Sequence, residues 1–390
     1  MNPAMDFEAT PEAARERLRA VRPQDYVATR NHLDGAVTRL SPYITHGLLT
    51  VAQVLEHLRE QPGIGPGHKL VYELGWREYF RHVWRHRGDA IEHSLHAGPL
   101  PDERYGRSVP ADITHARTGL AVIDQAVLGL YQGWLHNHAR LWLAAYVVHV
   151  RKVHWRVGAD WMLAHLLDGD LASNHLSWQW VAGTSSASPY LFNAENVRRH
   201  APADWQVEGT SLDTSYEQMT EVAFGRANFE PPSVADVAAP GIAVPPLLAL
   251  PPFGGFGPAT PDAIAGRDVW LVHPWSLADS PSGCLRVAVC DAAFHCARPW
   301  SERRWRFVGD RMSALAGILW FDEGPAIVAA LRSARSVSGT WDPHLGPLFA
   351  ALGLARPTPA FIEPGYLCNS FSAWWNRVGG RTSDARAWHR

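Results

Sequence analysis

"LLDGDLASNHLSWQWVAG", residues 166–183, places two aspartates two positions apart, an asparagine four residues after the second, and Trp-Gln-Trp near its end. An ordinary buried helix would use leucines at such positions. The spacing predicts a helix that starts after Asp170, with Asp170 and Asn174 one turn apart on one face. Trp178 continues that face by another four residues, and Trp180 points away. A hydrogen-bonding stripe that ends in an indole suits a planar heteroaromatic ligand with donors and acceptors along its rim.

A second polar stripe lies upstream in "GWLHNHAR" (133–140), where Asn137 and Arg140 interrupt an apolar helical pattern. A buried arginine needs a carboxylate, and Asp168 is the natural partner. These residues are equally compatible with an ion pair that only ties two helices together. The third piece is "TRLSPYITHG" (38–47), a hydroxyl-rich turn that runs into a Ser-Pro helix start. Free amides and the helix dipole there suit an anion such as a pyrophosphate, although N-caps of this kind are common.

Helical periodicity extends over most of residues 11–200. Thr10 is the expected first N-cap with Pro11 behind it, and Ser41-Pro42 repeats that grammar. No alternating strand pattern precedes residue 260. Residues 206–266 are rich in Pro, Ala and Gly and read as a linker. Beyond them "RDVWLVH", "CLRVAVCD", "GILWF" and "TPAFIEP" read as strands, alternating with the helical runs "SERRWRFVGDRMSALA", "GPAIVAALRSA" and "HLGPLFAALG". That alternation predicts a parallel α/β domain. The expected organisation is a mainly α chain with a helical domain at 1–205, a linker at 206–266 and a smaller, Rossmann-like parallel α/β domain at 267–390.

Composition narrows the function. With 46% hydrophobic and 19% charged residues, the 390-residue chain reads as globular. No signal peptide or membrane-length apolar run is evident, so a soluble cytoplasmic protein is expected. The net charge of −2 leaves any nucleic-acid contact to a local patch. Cys284, Cys290, Cys296 and Cys368 match no ligand spacing and read as buried small side chains. His82 and His86 have the i, i+4 spacing but not the glutamate of a zinc helix, so no metal is expected.

Taken together, "RLSPYITHG", "ELGWREYFRH", "RTGLAVIDQAV", "GWLHNHAR", "WRVGADWM" and "DGDLASNHLSWQWVAG" resemble the flavin domain of the photolyase/cryptochrome family, densely from about residue 26 to 200. The resemblance implies a helical bowl holding FAD. Thr38, Arg39 and Ser41 would hold its phosphates, with Tyr26 nearby. Asn137, Arg140, Asp168 and Asp170 would surround flavin and adenine. Asn174 would face flavin N5, an asparagine there being the photolyase choice, and Arg140 would favour the reduced, anionic flavin. Trp178 and Trp155 match the first two members of the family's photoreduction chain. No tryptophan stands at the third position, so either Tyr105, Trp134 or Trp142 serves as the outer member or the chain is altered.

For DNA, Glu73, Trp76 and Trp180 match the contacts to a flipped pyrimidine dimer, and Arg77 offers a phosphate contact. Some positions depart from the family. Leu70 stands where many photolyases carry a cavity tryptophan, Leu141 replaces a typical methionine, and the loop after residue 200 is contracted. "DVWLVHPWSLAD" and "SFSAWWNRV" resemble the family's antenna domain, which normally precedes the flavin domain. A circular permutation is therefore implied, and the resemblance leaves open whether a folate or deazaflavin antenna is held. The implied activity is light-driven splitting of cyclobutane pyrimidine dimers in UV-damaged DNA by a deoxyribodipyrimidine photo-lyase-like enzyme. The alternative is a cryptochrome-like photoreceptor acting through a signalling partner, with no membrane role. A light-independent flavoprotein is a third reading.

Overall fold

The structure, a computed structural model, describes residues 7–230, 232 and 241–378. Parts of all three expected segments therefore lie outside the described residues: 1–6 of the helical domain, 231 and 233–240 of the linker, and 379–390 of the α/β domain. Local signals work at the start of the chain. Thr10 accepts from the Ala13 amide at 3.2 Å, and Pro11 opens the Pro11–Arg19 helix. Ser41-Pro42 behaves otherwise. Leu40 is the N-cap of Ser41–Thr45, which ends after five residues, and the Val51–Arg59 helix restarts on a Thr50–Gln53 capping box.

The chain forms two compact units, which cut across the sequence-based boundaries. One consists of Arg22–Val37 and Tyr79–Pro245. It is helical, and its core is built by Ala121–Tyr131, Asn137–Ala145, Trp155–His165 and Leu171–Ala182. The first two of these helices are separated by a break that includes Gly133. After Ala145 the chain continues as a π-helical turn, Tyr146–Val150. Such turns rotate the side chains that follow and recur at functional sites. The expected linker also contributes a helix, Tyr216–Ala223, which buries Met219, Val222 and Ala223.

The other unit consists of Met1–Val21, Thr38–Glu78 and Pro246–Arg390. Its sheet contains β2 (Phe256–Gly257), β3 (Asp268–Val272), β4 (Leu285–Asp291), β6 (Ile318–Asp322) and β7 (Ser336–Gly339), in the order β2-β6-β4-β3-β7 and parallel throughout. A short antiparallel pair, β1 (Leu247–Leu248) with β5 (Trp300–Ser301), stands apart. Val269, Leu271 and Val272 on β3 and Val287, Ala288, Val289 and Cys290 on β4 are fully buried, as a parallel sheet covered on both faces requires.

Two expectations about strands are corrected. "TPAFIEP" is not a strand: Pro359 and Pro364 lack ladder donors, and Ile362 is 72% exposed. The strand beside β3 is the Ser- and Gly-containing β7, where Gly339 leaves room for Leu271. Strands β1 and β2 also precede residue 260. Of the cysteines, only Cys290 and Cys368 are buried, and all four are free thiols.

Candidate flavin site

Asp170 caps the Leu171–Ala182 helix, its Oδ1 accepting from the Ser173 amide at 2.9 Å. Its other oxygen accepts from Arg81 Nη2 at 2.8 Å, and its side chain is wholly buried. A carboxylate in that position is tolerable only when it is paired and hydrogen-bonded, and here it is both. Two residues upstream Asp168 accepts from Arg140 Nη2 at 3.0 and 2.8 Å, while Arg140 Nε donates to the Leu135 carbonyl at 2.8 Å. The pairing expected from sequence is therefore formed, and the guanidinium is held at both ends. The Arg81 pairing was not expected. Its only sequence signal is its place in "ELGWREYFRH", among residues with more obvious roles.

One turn on, Asn174 donates its amide to the Ala159 carbonyl at 2.8 Å. That bond uses the NH2 group and fixes the orientation of the side-chain carbonyl. His175 contacts Asp160 at 2.9 Å. Burial lowers His175, while His175 and Arg156 outweigh the burial of Asp160 and hold that carboxyl below its ordinary value. Gln179 donates to the Ile91 carbonyl at 2.8 Å and accepts from the Leu95 amide at 3.0 Å, which ties the helix to the loop opposite. Asn174, His175 and Gln179 of this helix are thus each held by a partner from another segment.

Trp178 is buried, and Gly158 makes its position possible: a Cβ there would lie 2.3 Å from the Trp178 ring. Trp155 is buried too, donating from its indole to Ser94 at 2.9 Å. Its ring lies 5.7 Å from that of His154, which lies 6.3 Å from that of Tyr105. Trp155, His154 and Tyr105 line one small cleft with Asp102 and Thr184. Burial pushes the Tyr105 phenol up to about 12. The other outer candidates face elsewhere. Trp142 bonds Asn196 at 2.9 Å, and Trp134 has its ring edge-on to His136.

The remaining predicted residues are distributed as follows. Asn137 is exposed in the first turn of its helix. Trp180 is 39% exposed, with its ring 5.6 Å from that of Tyr190. Tyr26 lies on the Pro23–Thr29 helix of the same unit. Thr38, Arg39 and Ser41 belong to the other unit, with Glu73, Trp76 and Arg77. Arg39 holds a positive φ of 53°, a backbone strain that often marks a functional position. Burial and the neighbouring Arg17 guanidinium lower its pKa. Two cations so placed favour an anion. Arg17 was not expected. Glu73 pairs with Lys69 at 2.9 Å, and the Trp76 ring is stacked on Phe371, 4.0 Å between centres and 8° from parallel.

Residues 70–207 match the family described as "FAD binding domain of DNA photolyase". The helical segment is thus similar to a photolyase-type FAD-binding domain over these residues. The chain is 34% identical over 234 residues to the "Deoxyribodipyrimidine photo-lyase" of Streptomyces griseus, covering 55% of this chain and 50% of the relative. It is 34% identical over 167 residues to the "Deoxyribodipyrimidine photo-lyase" of Escherichia coli K12, covering 40% and 35%. To "Cryptochrome-1" of Arabidopsis thaliana it is 28% identical over 218 residues, covering 46% and 31%. The chain thus spans half or less of the length of these curated relatives. FAD is the cofactor of this domain type, and the residues present fit it. Besides the paired carboxylates, the Ser173 hydroxyl next to Asp170 is buried with no protein partner. Such a hydroxyl calls for a polar group from outside the protein. Among the described residues no helix is long and apolar enough to cross a membrane.

Proposed function

We propose that this chain is a light-driven, FAD-dependent photolyase-type enzyme that splits cyclobutane pyrimidine dimers in UV-damaged DNA. Reduced FAD, excited by blue light, would supply the electron that opens the dimer and take it back afterwards. The observation that carries the reading is the Asn174 amide fixed on Ala159, one turn into the helix that Asp170 caps, together with the Arg140–Asp168 and Arg81–Asp170 pairs. With its NH2 group bonded to Ala159, Asn174 offers a carbonyl, an acceptor suited to a donor N–H. A reduced flavin carries such a donor at N5 and an oxidised flavin does not. Arg140 adds positive charge that favours an anionic ring.

Trp178 and Trp155 would relay electrons inward when the flavin must be reduced, with Tyr105 as the outer member. The shared cleft with Trp155 supports Tyr105 over Trp134 and Trp142. Thr38, Arg39, Ser41 and Tyr26 would hold the phosphate end. Asn137 would serve the flavin's edge. Glu73, Trp76 and Trp180 would contact the flipped bases and Arg77 a phosphate. We read the chain as a helical FAD domain over 1–205, a connection over 206–266 and an antenna-like α/β domain over 267–390, circularly permuted from the family order. A cytoplasmic location goes with this activity.

The second reading is a cryptochrome-like photoreceptor that signals to a partner protein without repairing DNA. The covered face of Trp76 favours it. The deciding experiment uses FAD-loaded, chemically reduced protein, oxygen-free, with UV-irradiated oligothymidine under blue light. Recovery of thymine absorbance, lost in darkness and in Glu73→Ala, would establish repair. A flat trace from a protein whose flavin still photoreduces would leave the photoreceptor reading.

A further inference from the structure

The Lys69–Arg87 helix presents Tyr72, Gly75 and Trp76 on one face by the i, i+3, i+4 rule, and the Phe371–Val378 helix presents Phe371, Trp374 and Trp375 by the same rule. Within one compact unit these faces meet. Phe371 stacks on Trp76 and stands edge-on to Tyr72 at 4.7 Å, while Trp375 stands edge-on to Tyr72 at 5.3 Å. Gly75 is what lets the second indole in, because a Cβ there would lie 2.4 Å from the Trp375 ring. Phe361 backs the pair, 5.8 Å from both Trp374 and Trp375. Phe371, Trp374 and Trp375 are all at least nine-tenths buried. The carboxylate one turn away is engaged as well, Glu73 with Lys69.

We propose that Phe371 and Trp375 set access to the Trp76 face, so that a flipped pyrimidine stacks there only after the Phe371–Val378 helix has withdrawn. This rests on the reading of Trp76 as a base contact. A base sandwiched between two rings needs their planes about 7 Å apart, twice an aromatic contact distance. The two rings here lie 4.0 Å apart. The base and Phe371 therefore compete for one face, and a dimer must displace a packed aromatic cluster to reach it. The opposing helix, in place, selects against a flipped base, and its release would expose a flat indole next to Glu73.

The test uses the full FAD-loaded chain, oxygen-free, with a fluorescent oligothymidine carrying a single cyclobutane dimer. Binding is followed by anisotropy in the dark and repair under blue light. Phe371→Ala and Trp375→Ala should bind the dimer at least tenfold more tightly than the parent. Gly75→Ala, which adds one methyl in the slot, should shift affinity the same way. It answers the question if the larger truncations fail to fold, with flavin content as the check. Hydrogen exchange over residues 371–378 should be slow in the parent and faster in Gly75→Ala. Equal dimer affinity and repair in parent and variants would overturn the proposal and leave the repair reading standing. Free exchange of that helix in the parent would overturn it as well. If neither parent nor variants bind or repair the dimer while all hold FAD, the repair reading falls and the proposal falls with it.

Discussion

The helical unit and the sheet-containing unit bury polar groups in opposite ways. In the helical unit, carboxylates and guanidiniums go inside as pairs: Arg81 with Asp170, Arg140 with Asp168, Arg156 with Glu92, Arg151 with Asp112. The sheet-containing unit keeps its Arg–Asp pairs at the rim, Arg335 with Asp268 and Arg311 with the largely exposed Asp279. Of its buried polar groups, Arg304, over the Trp300 ring, and the His344–Asp342 pair sit among aromatic rings. Trp275 lies flat on His344 at 4.2 Å, and His295, wholly buried, packs among Trp300 and Trp305. Buried ion pairs are poor investments for stability alone, since apolar groups of equal volume do as well or better. The helical unit therefore concentrates the buried Arg–carboxylate pairs, and the sheet-containing unit sets its buried polar groups among aromatic rings.

The sharpest way to break that contrast is Asp170→Leu. It strands Arg81 and removes a helix cap, so the loss should be about 3–5 kcal/mol with loss of bound FAD, read by thermal melting and flavin content. The matching change in the other unit, Asp279→Asn, should cost under about 1 kcal/mol. Similar losses for the two would erase the distinction.

Acid should act on both units. Burial pushes His149, His165 and His273 down to about 4 from an ordinary 6.5. The unfolded chain takes up these protons as pH falls below 6.5, and the folded chain does not until about 4. Stability is thus full above pH 6.5 and is lost between 6.5 and 4, by about 2 kcal/mol per histidine at pH 5. Denaturant melts at pH 7 and 5 read this directly. His165→Gln should flatten the dependence, and an unchanged slope would count against a buried neutral ring.

Gly158→Ala should cost about 1–3 kcal/mol despite better helix propensity, because the methyl meets Trp178. It should also alter the flavin spectrum and slow photoreduction, which a mere packing defect in the sheet unit would leave alone. The smallest expected effect is no signal. In open α/β sheets a ligand sits past the strand ends where the order reverses. That point lies between β3 and β7, and there His273 bonds the Thr340 carbonyl at 2.7 Å while Trp275 and His344 fill the adjoining space. The purified protein should absorb as FAD alone. A second, stoichiometric folate or deazaflavin band would show that this region binds as well as packs.

Much of the helical unit was legible because its signals are local. Thr10 and Asp170 capped the helices they were expected to cap, and Arg140 found Asp168, since a buried cation has few partners within reach. The Arg81 partner of Asp170 was not legible. It lies 89 positions away, and nothing local separates it from the other arginines of "RHVWRHR". Strand β7 was missed because Ser-Val-Ser-Gly carries no apolar run, and it is held by the edge of β3 that it joins. "TPAFIEP" carried the run without the donors.

The sequence by itself determined the kinds of element, the polar stripe on 168–178 and the likeness of residues 70–207 to a photolyase-type FAD-binding domain, because caps, periodicity and motif order are properties of neighbouring residues. Only the tertiary structure decided which carboxylate holds which arginine, that Trp155 shares a cleft with Tyr105, and that Trp76 is covered by Phe371. Each of those is a contact between distant segments. Several side chains could have satisfied the same local demand, and packing chose one.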